Sequence, residues 1–300
     1  MTDVVVIIPT RNEQTNVAKV VGDFRSCLPS ARIYVYDNMS TDRTVEEARQ
    51  AGATVRMVRT VGKGNVILQA FAELDGDVFI MVDGDDTYDA QVAPQLVSMV
   101  VGDGVDLVVA ERVRATDSAP VRRGHESGNR AISLLVSRLF KTPGSDVLSG
   151  YRAMSRRFVK SFPGTATGFE IEVQMSAHAA IVAAATSSIR ATYRERVQVG
   201  ENKSKLRTFR DGFRILFSIF RSYRQFAPTR FFGTGALISF AAALSLYITI
   251  PDDVRGDAAP YSLLVAGLVL FSAGVILTAL TRVQRQQLRL AYLQLSTINH

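Results

Sequence analysis

The chain has 300 residues, 47% of them hydrophobic, a formal net charge of +7, no tryptophan and a single cysteine, Cys27. One cysteine excludes an internal disulfide, the three histidines (His125, His178, His300) are too scattered for a metal cluster, and no G-x-x-x-x-G-K-[ST] loop is present for an ATPase motor. The charge is not a nucleic-acid signature, because it is concentrated: residues 190–230 carry eleven Arg and Lys against three acids, just ahead of an apolar region, which suits phosphates or anionic lipid rather than a DNA groove.

The first stretch, MTDVVVIIPTRNE, lacks the basic and long apolar regions of a signal peptide, so the chain is expected to start in the cytosol. Val4 to Ile8 is a β-branched run that reads as a central parallel strand, and Val17, Val20, Val21, Phe24 and Leu28 then mark a helix stopped by Pro29. Strands are expected at Arg32 to Tyr36, Thr54 to Val58, Val78 to Asp86 and Val105 to Ala110, with helices from Thr44 to Ala51 and from Gly64 to Glu73. This strict alternation predicts a doubly wound α/β domain with a mostly parallel sheet. From 111 to 205 the pattern loosens into helices around Arg130 to Phe140 and Glu170 to Ala185, separated by glycine loops.

The fourth strand, VFIMVDGDD, runs out into Asp83, Asp85 and Asp86. Ligands in such sheets sit beyond the carboxyl ends of the strands, and alternation puts Asp83 and Asp85 on one face, where two carboxylates repel unless a cation lies between them. A solvated turn is the bland alternative for an isolated D-x-D.

Beyond residue 206 the chain changes character. Arg207, Arg210, Arg214, Arg221 and Arg224 share one helical arc, and Phe209, Phe213, Leu216, Phe220 and Tyr223 another, as in a helix lying in a membrane interface. Phe231 to Ile250 and Pro260 to Thr281 are uncharged runs, each about 30 Å long as a helix, enough to span the hydrocarbon core. The connector PDDVRGDAA is acidic and Arg282, Arg285 and Arg289 follow, so the positive-inside rule places both termini in the cytosol and the connector outside. The expected organisation is a cytosolic catalytic domain over 1–206, an amphipathic helix over 207–228, a two-helix transmembrane hairpin over 229–283 and a cytosolic tail over 284–300. That makes it a multi-pass protein of the cytoplasmic membrane.

Taken together, IIPTRNE, YDNMSTDRT, GKGN, DGDDTYD, SGYRAMSRR, GFEIE and GENKSKL resemble the family 2 glycosyltransferases of GT-A fold, specifically the polyprenyl-phosphate branch that includes dolichyl-phosphate mannose and glucose synthases. The resemblance covers about residues 4–225. It implies a Rossmann-like catalytic domain that moves one sugar from a UDP- or GDP-sugar to a polyprenyl phosphate, with inversion and with Mg²⁺ or Mn²⁺. Pro9, Arg11, Glu13, Asp37, Lys63 and Asp83 would then bind the nucleotide-sugar, with Asp37 accepting a hydrogen bond from the base. Asp83 and Asp85 would hold the metal, with Asp85 the more direct ligand. Arg112, Arg130, Arg152, Arg196, Lys203, Ser204 and Lys205 would bind the acceptor phosphate or the diphosphate. Arg112 is also a catalytic candidate, although this chain has AER where many relatives have GSR. Glu172 is the candidate acid or base near the anomeric carbon, but an anionic phosphate acceptor needs little help from a base. A processive polysaccharide synthase shares the fold but uses a tryptophan motif, and this chain has no tryptophan. An inactive membrane scaffold and a homo-oligomeric assembly remain open.

Overall fold

The computed structural model describes residues 2–114, 146–168, 170–194, 217, 220–221, 223–224, 227–249 and 258–297. It divides into two compact units, Met1–Leu216 with Arg289–His300, and Phe217–Leu288.

Among the described residues the first unit has seven strands: β1 (Val4–Thr10), β2 (Arg32–Asp37), β3 (Thr54–Met57), β4 (Val78–Met81), β5 (Leu107–Arg114), β6 (Arg152–Ser155) and β7 (Thr186–Tyr193). Their order is β3-β2-β1-β4-β6-β5-β7, and β6 alone runs antiparallel to its neighbours. The mostly parallel sheet expected from the alternating pattern is therefore present, but β6 and β7 are additions to the five strands read from sequence. RAMS in β6 is too short to show a period, and TSSIRATY in β7 carries too few apolar residues to read as a strand.

Period-two alternation sorts the core. Val4, Val6 and Ile8 of β1 pack with α1 (Val17–Cys27), α2 (Thr44–Gln50) and α4 (Ala93–Val101) on one face. Val5 and Ile7 pack on the other with α3 (Lys63–Glu73), α5 (Arg156–Ser161) and α6 (Ile171–Val182). Helix α1 buries Val17, Val20, Val21 and Phe24, the helical spacing that the sequence displayed. Pro9 lies within β1, two residues past the last β1–β4 pair (Ile7 with Met81), so its missing N–H costs that ladder nothing. Helix α6 stops at Val182 rather than Ala185. Ala183 takes a left-handed conformation (φ 54°) and turns the chain into β7, which a run of good helix formers gives no reason to expect.

Asp106, buried at the start of β5, ties the added strands together. Its carboxylate accepts hydrogen bonds from Ser155 Oγ (2.7 Å), Arg157 Nε (2.5 Å) and Nη2 (2.9 Å), Ala185 N–H (3.2 Å) and the Tyr292 hydroxyl. The Arg157 guanidinium also lies 5.0 Å from the centre of the Tyr292 ring. The stretch read as a tail from 284 is helical through Thr297.

The second unit contains α7 (Pro228–Thr249) and most of α8 (Ala258–Thr297), two helices long and apolar enough to cross a membrane. Ser239 Oγ donates to the Leu263 carbonyl (2.7 Å), and Thr229 N–H donates to Thr278 Oγ1 (3.1 Å), so polar side chains bridge the pair. The expected amphipathic helix falls mostly outside the described residues, as does the acidic connector.

Two stability predictions follow from these contacts. Tyr292→Phe removes a charge-assisted donor from a buried carboxylate and is expected to cost about 1–3 kcal/mol, read as a lower denaturant midpoint of the first unit. His178 is buried with Nε2 3.0 Å from Ser161 Oγ, and burial lowers its pKa to about 4. The unfolded chain binds a proton near pH 6.5 that the native state refuses until about pH 4. Stability is thus expected to fall by on the order of 3 kcal/mol across that window on acidification, and in His178→Gln the stability from urea titrations at a series of pH values should depend less steeply on pH.

Candidate active site

The parallel strands β1, β2 and β4 end side by side, and their loops build one site. Each loop contains a non-glycine residue in the left-handed region: Asn12 (φ 54°), Met39 (φ 62°) and Asp86 (φ 59°). Such conformations cost energy and persist where surrounding contacts enforce them. Here Asn12 N–H donates to Ser40 Oγ (2.8 Å) and Thr41 N–H donates to Asn12 Oδ1 (2.8 Å), bracing the first loop against the second. Asp86 is paired with Lys19 of α1 (2.7 Å).

At the end of β2, Asp37 is fully buried. Its Oδ2 accepts from Ser40 N–H (3.0 Å), while Oδ1 has no hydrogen-bond partner. The adjacent Asn38 donates to the carbonyls of Val58 (3.1 Å) and Thr60 (2.8 Å) and accepts from Gly62 N–H (2.7 Å). Asn38 therefore shapes the turn that delivers Lys63, a role that sequence reading missed although the residue follows a predicted site acid.

Lys63 is the junction of the site. Its Nζ lies 2.5 Å from Asp83 Oδ1 and 2.6 Å from Glu172 Oε1, although its side chain is only 8% exposed. Burial works against the ammonium, but the Asp83 and Glu172 carboxylates outweigh it and hold the lysine pKa above the ordinary range. The flanking glycines are there for packing: a Cβ on Gly62 or Gly64 would come within 2.0 or 2.1 Å of the carbonyl oxygens of Thr167 or Ala166. Gly150 is equally constrained, because a Cβ there would lie 2.3 Å from Asp83 Oδ2 and 2.9 Å from Lys63 Nζ. Its N–H donates to the buried Tyr88 hydroxyl (2.9 Å), whose ring stands edge-on to Tyr151 and Tyr193.

The remaining predicted residues divide into several groups. Asp85 accepts from Thr87 Oγ1 (2.6 Å), and Arg11 is exposed on the first loop with Pro9 half-buried behind it. Glu13, expected on the nucleotide, is buried and accepts from Asn16 Nδ2 (3.2 Å), where it supports the start of α1. Arg152, expected on phosphate, is wholly buried instead. Its guanidinium donates to the carbonyls of Ser149 (3.0 Å) and Val147 (2.5 Å) and to Ser176 Oγ (3.3 Å), holding the turn that carries Gly150. Glu172, expected as an acid or base, is also buried and is held by Lys63. Arg112 makes a two-pronged pair with Asp146, Nε to Oδ2 (2.6 Å) and Nη2 to Oδ1 (2.7 Å), and sits 5.5 Å from the centre of the Tyr193 ring. Arg130, Arg196, Lys203, Ser204 and Lys205 lie outside the described residues. Among the described residues no group of three or more His, Cys, Asp or Glu side chains is arranged to hold a metal by itself.

A family model described as glycosyl transferase family 2 matches residues 5–162, more than half of the chain and every loop just described from β1 to β4. The chain belongs to glycosyl transferase family 2. This transferase is 29% identical over 295 residues to the glycosyltransferase AglJ of Haloferax volcanii, spanning 95% of the chain and 96% of that relative. It is 30% identical over 173 residues to a dolichyl-phosphate hexose transferase of the same organism, covering 57% of the chain and 75% of that protein. Over 123 residues it is 47% identical to protein RfbJ of Shigella flexneri, covering 41% of the chain and 95% of the relative. Among solved structures, the glucosyl-3-phosphoglycerate synthase of Mycobacterium tuberculosis, in complex with Mn²⁺, UDP-glucose and phosphoglyceric acid, superposes with a TM-score of 0.58 at 20% identity. The match covers 74% of this chain and 80% of that one. At that identity the likeness is one of fold.

Gly150→Ala tests the packing at the centre of the transferase. The added methyl must push Asp83 and Lys63 apart, so donor turnover is expected to fall about 10²-fold. The thermal midpoint is the control, because equal loss of both would make the effect one of folding.

Proposed function

We propose that the protein transfers a single sugar from a UDP- or GDP-sugar to a polyprenyl phosphate at the cytosolic face of the membrane, inverting the anomeric centre. One observation carries the reading: a family 2 catalytic unit shares one chain with two helices long and apolar enough to cross a membrane. Helices of that kind hold a catalytic unit at the membrane surface, where a phosphate carried on a lipid is met, and serve no purpose for a water-soluble acceptor. The relative named dolichyl-phosphate hexose transferase supports the same acceptor class.

The chain's own groups then have distinct tasks. Asp37 Oδ1, buried and without a hydrogen-bond partner among the described residues, takes an N–H of the nucleotide base once the loops around the end of β2 part to admit it. Asp83 and Asp85 are hard oxygen donors, the ligand type that Mg²⁺ or Mn²⁺ takes, with the other positions left for diphosphate and water. A bound divalent cation supplies neutralisation of the departing diphosphate. Arg112 presents a planar fork of the kind that grips a phosphate bidentately, and exchanging Asp146 for the acceptor phosphate brings the lipid headgroup to the β5 end of the sheet. No carboxylate need act as base, because the acceptor is already an anion, and this agrees with the burial of Glu172. The charge pattern supports a cytosolic catalytic domain by the positive-inside rule: the connector PDDVRGDAA is acidic, whereas Arg282, Arg285 and Arg289 follow the second apolar run.

The reading is tested by incubating purified protein with a panel of UDP- and GDP-sugars, a polyprenyl phosphate and Mn²⁺ or Mg²⁺, then extracting lipid. One donor is expected to give a single-sugar lipid that disappears with EDTA and falls about 10²-fold or more in Asp85→Asn. A ladder of products would make the enzyme a polymerase. Nucleotide binding without lipid product from any donor would overturn the acceptor.

A further inference from the structure

Lys63 stands between two carboxylates that differ in kind. Glu172 lies inside the fold with its side chain 3% exposed, and its Oε2 has no hydrogen-bond partner. Asp83 is at the open end of β4 with its side chain 31% exposed. The lysine thus stands between one carboxylate fixed inside the fold and another that faces incoming ligands.

Its backbone is fixed as well. Gly64 N–H donates to the Thr167 carbonyl (3.1 Å), and the Thr167 and Ala166 carbonyls close over Gly62 and Gly64 with no space for a side chain. Any movement of the ammonium must therefore come from its own flexible stem. A buried ammonium stripped of partners costs several kcal/mol, but here losing Asp83 leaves Lys63 paired with Glu172. The arrangement lets the lysine release the outer carboxylate without ever being buried alone.

We infer that Lys63 is an internal counter-ion that neutralises Asp83 while the nucleotide site is empty and passes wholly to Glu172 when a divalent cation takes Asp83. Glu172 is then a positioning residue that keeps the lysine in reserve. The inference rests on the proposed reading of Asp83 as a metal ligand. It adds that the free enzyme resists binding the cation alone, because the ion must displace an ammonium already 2.5 Å from the carboxylate.

The test is direct Mn²⁺ binding to the full-length protein in detergent, followed by the electron paramagnetic resonance of free Mn²⁺, with and without UDP or GDP. The double variant Lys63→Met/Glu172→Gln removes the internal competitor together with its buried carboxylate partner, and Arg152 keeps its hydrogen bonds to the Ser149 and Val147 carbonyls. Without nucleotide it is expected to bind Mn²⁺ about tenfold more tightly than wild type. Glu172→Gln alone commits the lysine to Asp83 and is expected to bind about tenfold more weakly. Opposite signs in two variants that share the loss of Glu172 are not produced by a loosened site, which would weaken both. Unchanged or weaker binding in the double variant overturns the exchange. If that variant does not fold, Glu172→Gln decides alone, and unchanged or tighter binding overturns it. Wild-type binding that is abolished in Asp83→Asn but unmoved by the other variants overturns the exchange and leaves the metal reading standing. No wild-type binding even with nucleotide removes both.

Discussion

An ammonium enclosed between Asp83 and Glu172 requires the loops around it to fit closely, and the rest of the site follows from that requirement. Burying the Lys63 ammonium and the Glu172 carboxylate, with Asp83 half-buried beside them, is tolerable only when their partners are in hydrogen-bond range. Every surrounding element serves that end. Asn38 shapes the turn ahead of Lys63, the 166–167 backbone closes over the glycines beside it, and Gly150 leaves no gap against Asp83. Arg152, fully buried, is the brace for the Gly150 turn.

The antiparallel strand β6 makes this geometry available. Because β6 starts opposite the end of β4 (Arg152 with Met81) and runs back toward its beginning (Ser155 with Val78), Ser149 and Gly150, which lead into it, and Arg152, its first residue, lie at the carboxyl end of β4, where a parallel strand would have placed its last residues instead. The cost is a junction of β5, β6 and β7 with polar backbone and side-chain groups in the interior. Asp106 satisfies much of it, with five donors from Ser155, Arg157, Ala185 and Tyr292 converging on one carboxylate. A residue far along the chain, Tyr292, is thereby part of the catalytic unit's own packing.

Much of the architecture was legible before any coordinate. Continuous β-branched runs, a helical spacing such as Val17, Val20, Val21 and Phe24, and acids at strand ends are local signals, each contained within a dozen residues. Long uncharged runs are just as local, and α7 and α8 cover them. The site was legible in a narrower sense. Lys63, Asp83 and Glu172 were singled out as separate contributors to ligand binding or catalysis, and in the fold they are one ion-paired group. Asn38, Tyr88 and Gly150 lie inside the motifs YDNMSTDRT, DGDDTYD and SGYRAMSRR, and Asp146 in none of them, but no role was assigned to any of the four, because each acts on a side chain or turn from a distant segment.

The sequence by itself determined the alternating α/β order, the acidic end of the fourth strand and the two apolar helices, because hydrophobic period, turn chemistry and charge act between near neighbours. Tertiary structure alone decided which charges meet. Arg152 and Glu172 look like ligand-facing residues in one dimension, yet both are buried. Whether a guanidinium grips a phosphate or a backbone carbonyl depends on what lies within about 3 Å of it in space. That distance is set by segments such as 147–149 and 171–176 folding against one another, and no local pattern in either segment records it.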